Sequence, residues 1–359
     1  MAAFPNYTDV FVVGGGPAGL AVAIAARLKG FDVVVADAAR PPIEKACGEG
    51  LMPDSFAALR RLGVRLNSEQ SFPFRGIRFH GAGVSVAATF PEGPATGIRR
   101  ARLHEVLIDR AQEAGIAMLW STRVNGVSEQ MVSLDAGVVK CRWVVGADGQ
   151  NSRVRQWAGL DAARHESARF GFRRHYRIAP WTDHLEIHWG SGCQMYVTPV
   201  SPREVCIAVI SRDSHLRFDG ALRQFPELSG RLARASASTA ERGAVTASRR
   251  LRRVFSGHTV LIGDASGSVD AITGEGLSLS FRQALSLADA LVEENLEAYQ
   301  AAHRRLMRRP AFMAGLMLSL DRLPWLRPPV LRAMALEPAI FRKLLAVHVG
   351  GAAPLPVFP

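Results

Sequence analysis

Cysteine is scarce in this chain of 359 residues. There are four, Cys47, Cys141, Cys193 and Cys206, and none stands in a C-x-x-C pair or at a zinc-finger spacing. That excludes a disulfide scaffold and points to a reducing compartment. Met1 to Thr8 has neither a charged n-region nor an apolar h-region, so no secretory leader is expected there. The one stretch near membrane length, Val10 to Leu28, is broken by Gly14-Gly15-Gly16-Pro17, which argues against a span. Acidic residues fall short of basic ones, 32 against 44, for a formal charge of +12. The excess is nearly all arginine, with no nucleic-acid motif and no basic stripe interleaved with aromatics, so a nucleic-acid partner is not expected. The G-x-S-x-G nucleophile motif is absent. His184 and His188 stand four apart, but on a stretch that reads as strand, so no metal site is expected.

What is present begins at Asp9. An apolar run to Val13 reads as a buried strand, Gly14 to Gly19 as a turn, and an alanine-rich helix follows to about Leu28. Gly14, Gly16 and Gly19 fit G-x-G-x-x-G, with Pro17 and Ala18 opening the helix. The first glycine permits the turn, the second admits a pyrophosphate to the backbone, and the third lets helix and strand pack closely. The helix N-terminus adds free N–H groups and a positive dipole end. Asp37 ends the next strand, 18 residues beyond Gly19, about where a ribose-binding acid belongs. Together these features predict a dinucleotide site.

Further along, Pro41 to Pro53 reads as a glycine-broken loop around Lys45 and Cys47, leading into a helix from Asp54 to Leu62. Cys47 is either a small packing residue or a residue of the pocket. Phe72 to Phe90 alternates like a strand pair, and Arg100 opens a helix whose dipole it opposes, which suggests an external anion. Val138 to Val145 reads as a strand running into Asp148-Gly149, and His165 to Arg212 as antiparallel strands walling a pocket with Trp189, Met195 and Tyr196. Pro226 to Ala247 reads as helix followed by loop. His258 to Ile262 is a strand that enters Gly263-Asp264 and then Gly274-Glu275-Gly276-Leu277 at a helix start, where two glycines would let a planar ring approach. Arg304 to Lys343 reads as helix broken at Pro310, Pro324, Pro328-Pro329 and Pro338, either a helical lid or a basic membrane-surface contact.

Three of these stretches, in this order, resemble the FAD signatures of the aromatic-hydroxylase superfamily of flavoproteins. Val145-Gly146-Ala147-Asp148-Gly149 with Ser152 and Arg155 is similar to its second signature, and Gly263-Asp264-Ala265 with Gly274 and Gly276 to its third. Arg100 with Leu103 and Leu107 is similar to its arginine element near the FAD phosphates. Lys45-Ala46-Cys47-Gly48 and the Thr273-Gly274-Glu275-Gly276 run resemble the geranylgeranyl reductase branch. Two departures matter. Tyr196-Val197-Thr198-Pro199 lacks the aromatic run of the prenyl reductases, and the tryptophan signature of the flavin halogenases is absent.

The resemblance implies an α/β (α+β) fold with a Rossmann-like FAD-binding domain, an interleaved antiparallel substrate domain and a helical C-terminus. The expected division is 1–75, 98–160 and 255–300 for FAD, 76–97 and 161–254 for substrate, and 301–359 for the helical segment. FAD is the implied cofactor. It would be held by Gly14 to Gly19, Asp37, Lys45, Arg100, Asp148, Gly149, Gly263, Asp264 and Gly274 to Leu277. No second G-x-G-x-x-G is present, so NAD(P)H would bind transiently over the flavin, or a partner reductase would supply electrons. The leading expectation is a monooxygenase that hydroxylates a small lipophilic or aromatic substrate through a flavin C4a-hydroperoxide. The rival is a reductase of carbon–carbon double bonds. Cys47, Gly274 and Gly276 would flank the reacting ring in both. A third reading is a membrane-surface electron-transfer flavoprotein, cytoplasmic and peripheral at the inner membrane.

Overall fold

The structure is a computed structural model, which describes residues 6–161 and 163–350. Its first sheet is built on the apolar runs singled out above. Tyr7–Val13 lies between Gly137–Gly146 and Val33–Asp37, parallel to both. Thr259–Leu261 extends the sheet on one side and Ala117–Trp120 on the other, again in parallel. Val10, Phe11 and Val12 have no exposed surface, as expected for a central strand covered on both faces. Burying each such side chain is worth roughly 1.5–3 kcal/mol. The helices Pro17–Leu28, Arg100–Glu113 and Gly276–Val292 contribute to the core on one face of the sheet. Because the strands are parallel, their C-terminal ends share one edge. The loops after Val13, Asp37, Gly146 and Leu261 therefore meet at the point where the chain reverses its direction across the sheet, the usual ligand crevice of such folds.

The second sheet is mixed. Ala163–Arg177, Glu204–Ser211, Cys193–Ser201 and His184–Trp189 follow one another in antiparallel order. Gly76–Gly81 then joins His184–Trp189 in parallel and pairs with Val84–Thr89. The helices Leu296–Arg322, Arg327–Leu336 and Pro338–Val349 cover part of this sheet, with Met317, Leu331 and Phe341 packed against Phe79 and Trp189.

Two local expectations are corrected. The second half of Pro226 to Ala247 is not loop: Pro226–Leu232 is helical, but Arg242–Leu251 is a strand paired along its length with Ala163–Arg177. Its Gly-Ala-Thr composition carries no apolar period, and the long neighbouring strand supplies the pairing that sequence pattern does not announce. Helix Leu296–Arg322 also runs through Pro310 without a break. Pro310 removes one N–H, and the burial of Met313, Ala314 and Met317 beyond it holds the helix together.

Candidate active site

The crevice at the strand ends opens into a cavity of about 620 Å³ between the two sheets. Gly14, Gly16, Pro17 and Ala18 line it, and Asp37 stands at the end of the second strand. Gly14 has φ +106°, and a Cβ there would lie 2.5 Å from the Ala147 carbonyl oxygen. Gly19 is not on the wall. A Cβ on it would lie 1.8 Å from the Gly14 carbonyl oxygen, so its role is close packing of helix on strand. Gly263 packs likewise, against Ala18, at φ +60°. Asp37 accepts the Gly15 N–H at 2.7 Å and the Ala39 N–H at 2.7 Å, which fixes its carboxylate at the rim.

Asp148 and Gly149 line the cavity, but the Asp148 carboxylate is already engaged. It accepts from the Ser152 hydroxyl at 2.5 Å and from the N–H groups of Arg153 and Val154, capping the short helix Arg153–Trp157. These bonds hold the loop in place at the cavity wall. Asp264 and Lys45 both line the cavity and form an ion pair across it at 2.9 Å. Arg100, Cys47 and the run Gly274 to Leu277 complete the expected set on the wall.

The residues fit FAD on an observation of their own. A Cβ on Gly16, Gly274 or Gly276 would meet no protein atom within 4 Å. The chain therefore leaves space at the pyrophosphate turn and again at the far end of the cavity, where a planar ring is expected. Neither Gly16, before the helix Pro17–Leu28, nor Glu275, before Gly276–Val292, supplies a side-chain cap, so both N-termini keep N–H groups for an anion.

Of the expected pocket residues, Tyr196 lines the cavity, with its hydroxyl donating to the Ile272 carbonyl at 2.8 Å. Trp189 does not reach the cavity. It points to the same side of the sheet but sits under the C-terminal helices, edge-on to Phe79 and beneath Arg327. Met195 points the other way, into the apolar cluster around Phe218 and Phe225. Adjacent strand residues face opposite sides, so Met195 and Tyr196 could not both have lined one pocket.

Sequence reasoning missed two buried ionic groups that touch the site. Glu49, at φ 60°, accepts the Arg100 backbone N–H at 3.0 Å and lies 2.6 Å from His175 Nε2. Deeper, Arg169 lies 2.9 Å from Asp270 and 2.8 Å from Asp321, all three buried. Burial opposes the Arg169 charge, yet the two carboxylates hold its pKa above the ordinary guanidinium value. Asp270 also accepts the Ile272 N–H at 3.0 Å, so this trio ties the Gly274 loop to the second sheet and to the long C-terminal helix. No local pattern marks either group, because the partners are separated by 101 or more residues.

Glu275 offers a pH test. Burial pushes its carboxyl up to about 8, against the opposing pull of Arg309. Arg309 lies 3.7 Å from Glu275 but 2.9 Å from Asp54, so its charge is largely answered elsewhere and we take Glu275 as protonated at neutral pH. The raised value means that the folded state favours the neutral acid. That stability is fully present below the unfolded pKa of about 4.3 and is lost as pH rises through about 8. Burial holds the imidazoles of His303 and His348 down at about 4, and their contributions are lost on the acid side instead. Urea unfolding at pH 6.5 and 8.5 should therefore show a decline in the wild type, on the order of 1–3 kcal/mol, that Glu275→Gln largely removes. Equal slopes in both proteins would place a charged carboxylate at Glu275.

Residues 7–307 match the family described as FAD binding domain. The chain is 30% identical over 329 residues to a menaquinone reductase of Mycolicibacterium smegmatis, covering 84% of this chain and 80% of that protein. It is 25% identical to digeranylgeranylglycerophospholipid reductase 1 of Methanothermobacter thermautotrophicus, covering 75% and 73%. Among solved structures, the flavin-dependent brominase Bmp2 superposes with a TM-score of 0.82 over 96% of this chain and 94% of its own, at 20% identity.

Proposed function

This chain belongs to the FAD binding domain family and is an FAD-dependent oxidoreductase, and on that premise we propose that it reduces a carbon–carbon double bond in a lipophilic substrate, with NAD(P)H as electron donor. One observation carries the reading. The cavity floor is largely aliphatic, made by Ile77, Leu185, Ile187, Ala208 and Ile210, with Tyr196 on the strand between Ile187 and Ala208, while Cys47 and Gly274 to Leu277 form other parts of its wall. Such a floor holds a hydrocarbon through buried area, at roughly 25 cal/mol per Å². Its aliphatic side chains offer no acid or base for ionising a phenol, and the Tyr196 hydroxyl among them is already donated to the Ile272 carbonyl. The names of the two relatives above, both reductases matched over most of their length, support the same order of preference.

FAD, when bound, supplies hydride transfer to carbon. Gly14, Gly16 and Asp37 would hold its adenosine and pyrophosphate end, and Gly274 to Leu277 its ring. The N-terminus of helix Gly276–Val292 favours negative charge at that ring. Net reduction adds a hydride to one carbon and a proton to the other, and we assign the proton to the Cys47 thiol. Cys47→Ala is then expected to retain FAD and to lose about 100-fold in turnover. Full turnover with FAD retained would leave Cys47 a packing residue.

Hydroxylation is the second reading, favoured by the missing aromatic run at Tyr196 to Pro199. Turnover under ¹⁸O₂ separates the two. Reduction gives a product two mass units heavier without label, whereas labelled product would establish oxygenation. No described helix is long and apolar enough to cross a membrane. The basic segment Arg304 to Lys343 exposes Trp325 and Leu336, and in this proposal it is the face at which a lipophilic substrate arrives from an anionic membrane surface.

A further inference from the structure

Glu275 stands where the cavity meets the C-terminal helices. It lines the cavity between Gly274 and Gly276 and immediately precedes the helix Gly276–Val292, whose uncapped N-terminus is expected at the flavin ring. Its carboxyl is buried among groups from three other helices. Asp54 comes from Pro53–Arg61, Arg309 from Leu296–Arg322 and His348 from Pro338–Val349. Arg282, on the helix that Glu275 opens, reaches Asp54 at 3.4 Å, and Thr273 belongs to the same loop. Glu275 Oε1 lies 3.7 Å from Arg309, and Oε2 lies 3.5 Å from His348 Nδ1. Oε2 and Nδ1 are both buried without a hydrogen-bond partner. A carboxylate so placed is costly, and protonation relieves the cost.

We infer that Glu275 tunes the reduction of the bound flavin: as a neutral acid it leaves the positive end of helix Gly276–Val292 to the ring, and its ionisation makes the ring harder to reduce. An ionised Glu275 would share that helix end with the negative charge the ring gains on reduction, and like charges at one site oppose each other. The effect is reciprocal. Ionised Glu275 disfavours reduction by the same factor by which the reduced ring disfavours ionisation of Glu275.

The neighbouring groups set the pH range. Burial raises the Glu275 carboxyl to about 8, with Asp54 adding to the rise and Arg309 and Arg282 opposing it. Burial holds His348 down at about 4, so it brings no charge to the pair in this range. Below about pH 8, Glu275 is neutral whether the ring is oxidised or reduced, and reduction takes two electrons and one proton to the ring. Above it, the charge gained by the ring draws a second proton from solvent onto the ionised carboxylate. The inference rests on FAD in the cavity and not on which reaction the reduced ring then performs.

Anaerobic potentiometric titration of the FAD-loaded protein with dithionite, from about pH 6 to 9.5, tests it. The slope of midpoint potential against pH should double above about pH 8 in the wild type. Glu275→Gln should match the wild type at the acid end and keep the shallow slope throughout. Cys47→Ser should retain the steep segment, which excludes the thiol on the same wall as its source. Arg309→Met removes the charge 3.7 Å from Glu275, so the steep segment should begin at a higher pH. That variant decides the matter if Glu275→Gln does not hold FAD. A single slope in the wild type, a steep segment that survives Glu275→Gln, or one that Arg309→Met leaves in place would overturn the coupling. The urea profile of Glu275→Gln reads the state of the carboxyl by itself. A flattened urea profile beside an unchanged potential profile would show a neutral acid without influence on the ring.

Discussion

Gly16→Ala is expected to give a protein that unfolds as the wild type does but binds FAD about 10- to 100-fold more weakly. A methyl at Gly16 meets no protein atom within 4 Å, and the residue's φ of −71° is open to alanine. Nothing in the folded chain resists the substitution. The methyl instead occupies space that the turn leaves for the cofactor's pyrophosphate, and overpacking of about 1–3 kcal/mol falls on binding alone. Gly19→Ala is the opposite case. Its Cβ would stand 1.8 Å from the Gly14 carbonyl oxygen, a backbone atom that cannot yield without moving the turn. Stability should drop by more than about 3 kcal/mol, and FAD binding should fall with it. Thermal melts of the apoproteins beside FAD titrations separate the two effects. A destabilised Gly16→Ala apoprotein, or unchanged FAD affinity in that variant, would remove the pyrophosphate from this turn.

Arg169→Met is expected to be the most damaging change away from the cavity wall. Methionine keeps much of the side-chain volume and removes the charge, leaving Asp270 and Asp321 buried without the guanidinium between them. Breaking a buried ionic group from one side costs about 3–5 kcal/mol, because the remaining charge stays desolvated. Gln194 and Arg212 still reach Asp321, while at the Asp270 end the tie to Arg169 of the second sheet is cut. That end anchors the Gly274 loop, so FAD affinity should fall as well as stability. Denaturant titration reads the first effect and flavin fluorescence the second. Exchanging the whole group for uncharged residues, with Asp270→Asn and Asp321→Leu added, should recover part of the stability but not the loop position. A single Arg169→Met variant as stable as wild type would show the trio to be dispensable.

The cavity wall is largely legible in the amino-acid sequence, and the reason is local. Each of the three glycine-bearing stretches is one strand, one turn and one helix start within about 15 residues. At Gly14 the backbone must take φ +106°, and at Gly16 and Gly276 a side chain would enter the open cavity. Those demands act on adjacent residues, so they are written in adjacent letters. The parallel first sheet follows from the same units, because apolar strands joined by helices return in parallel.

The substrate side was less legible. Alternation located the strands but could not say which of Trp189, Met195 and Tyr196 turns to the cavity. In a sheet covered on both faces, every residue is apolar enough to be inside, and the period of two loses its contrast. The Asp148 carboxylate also accepts the first N–H groups of helix Arg153–Trp157, a second task that the local signature does not announce.

The amino-acid sequence thus determined the FAD-binding frame, because its requirements for positive φ, close packing and free helix ends are satisfied within single strand–turn–helix units. Tertiary structure alone decided the buried pairs Glu49 with His175 and Arg169 with Asp270 and Asp321, and the largely aliphatic floor. Charges and imidazoles far apart in the chain meet only when strand register brings them to one face, and register is set by the packing of whole sheets.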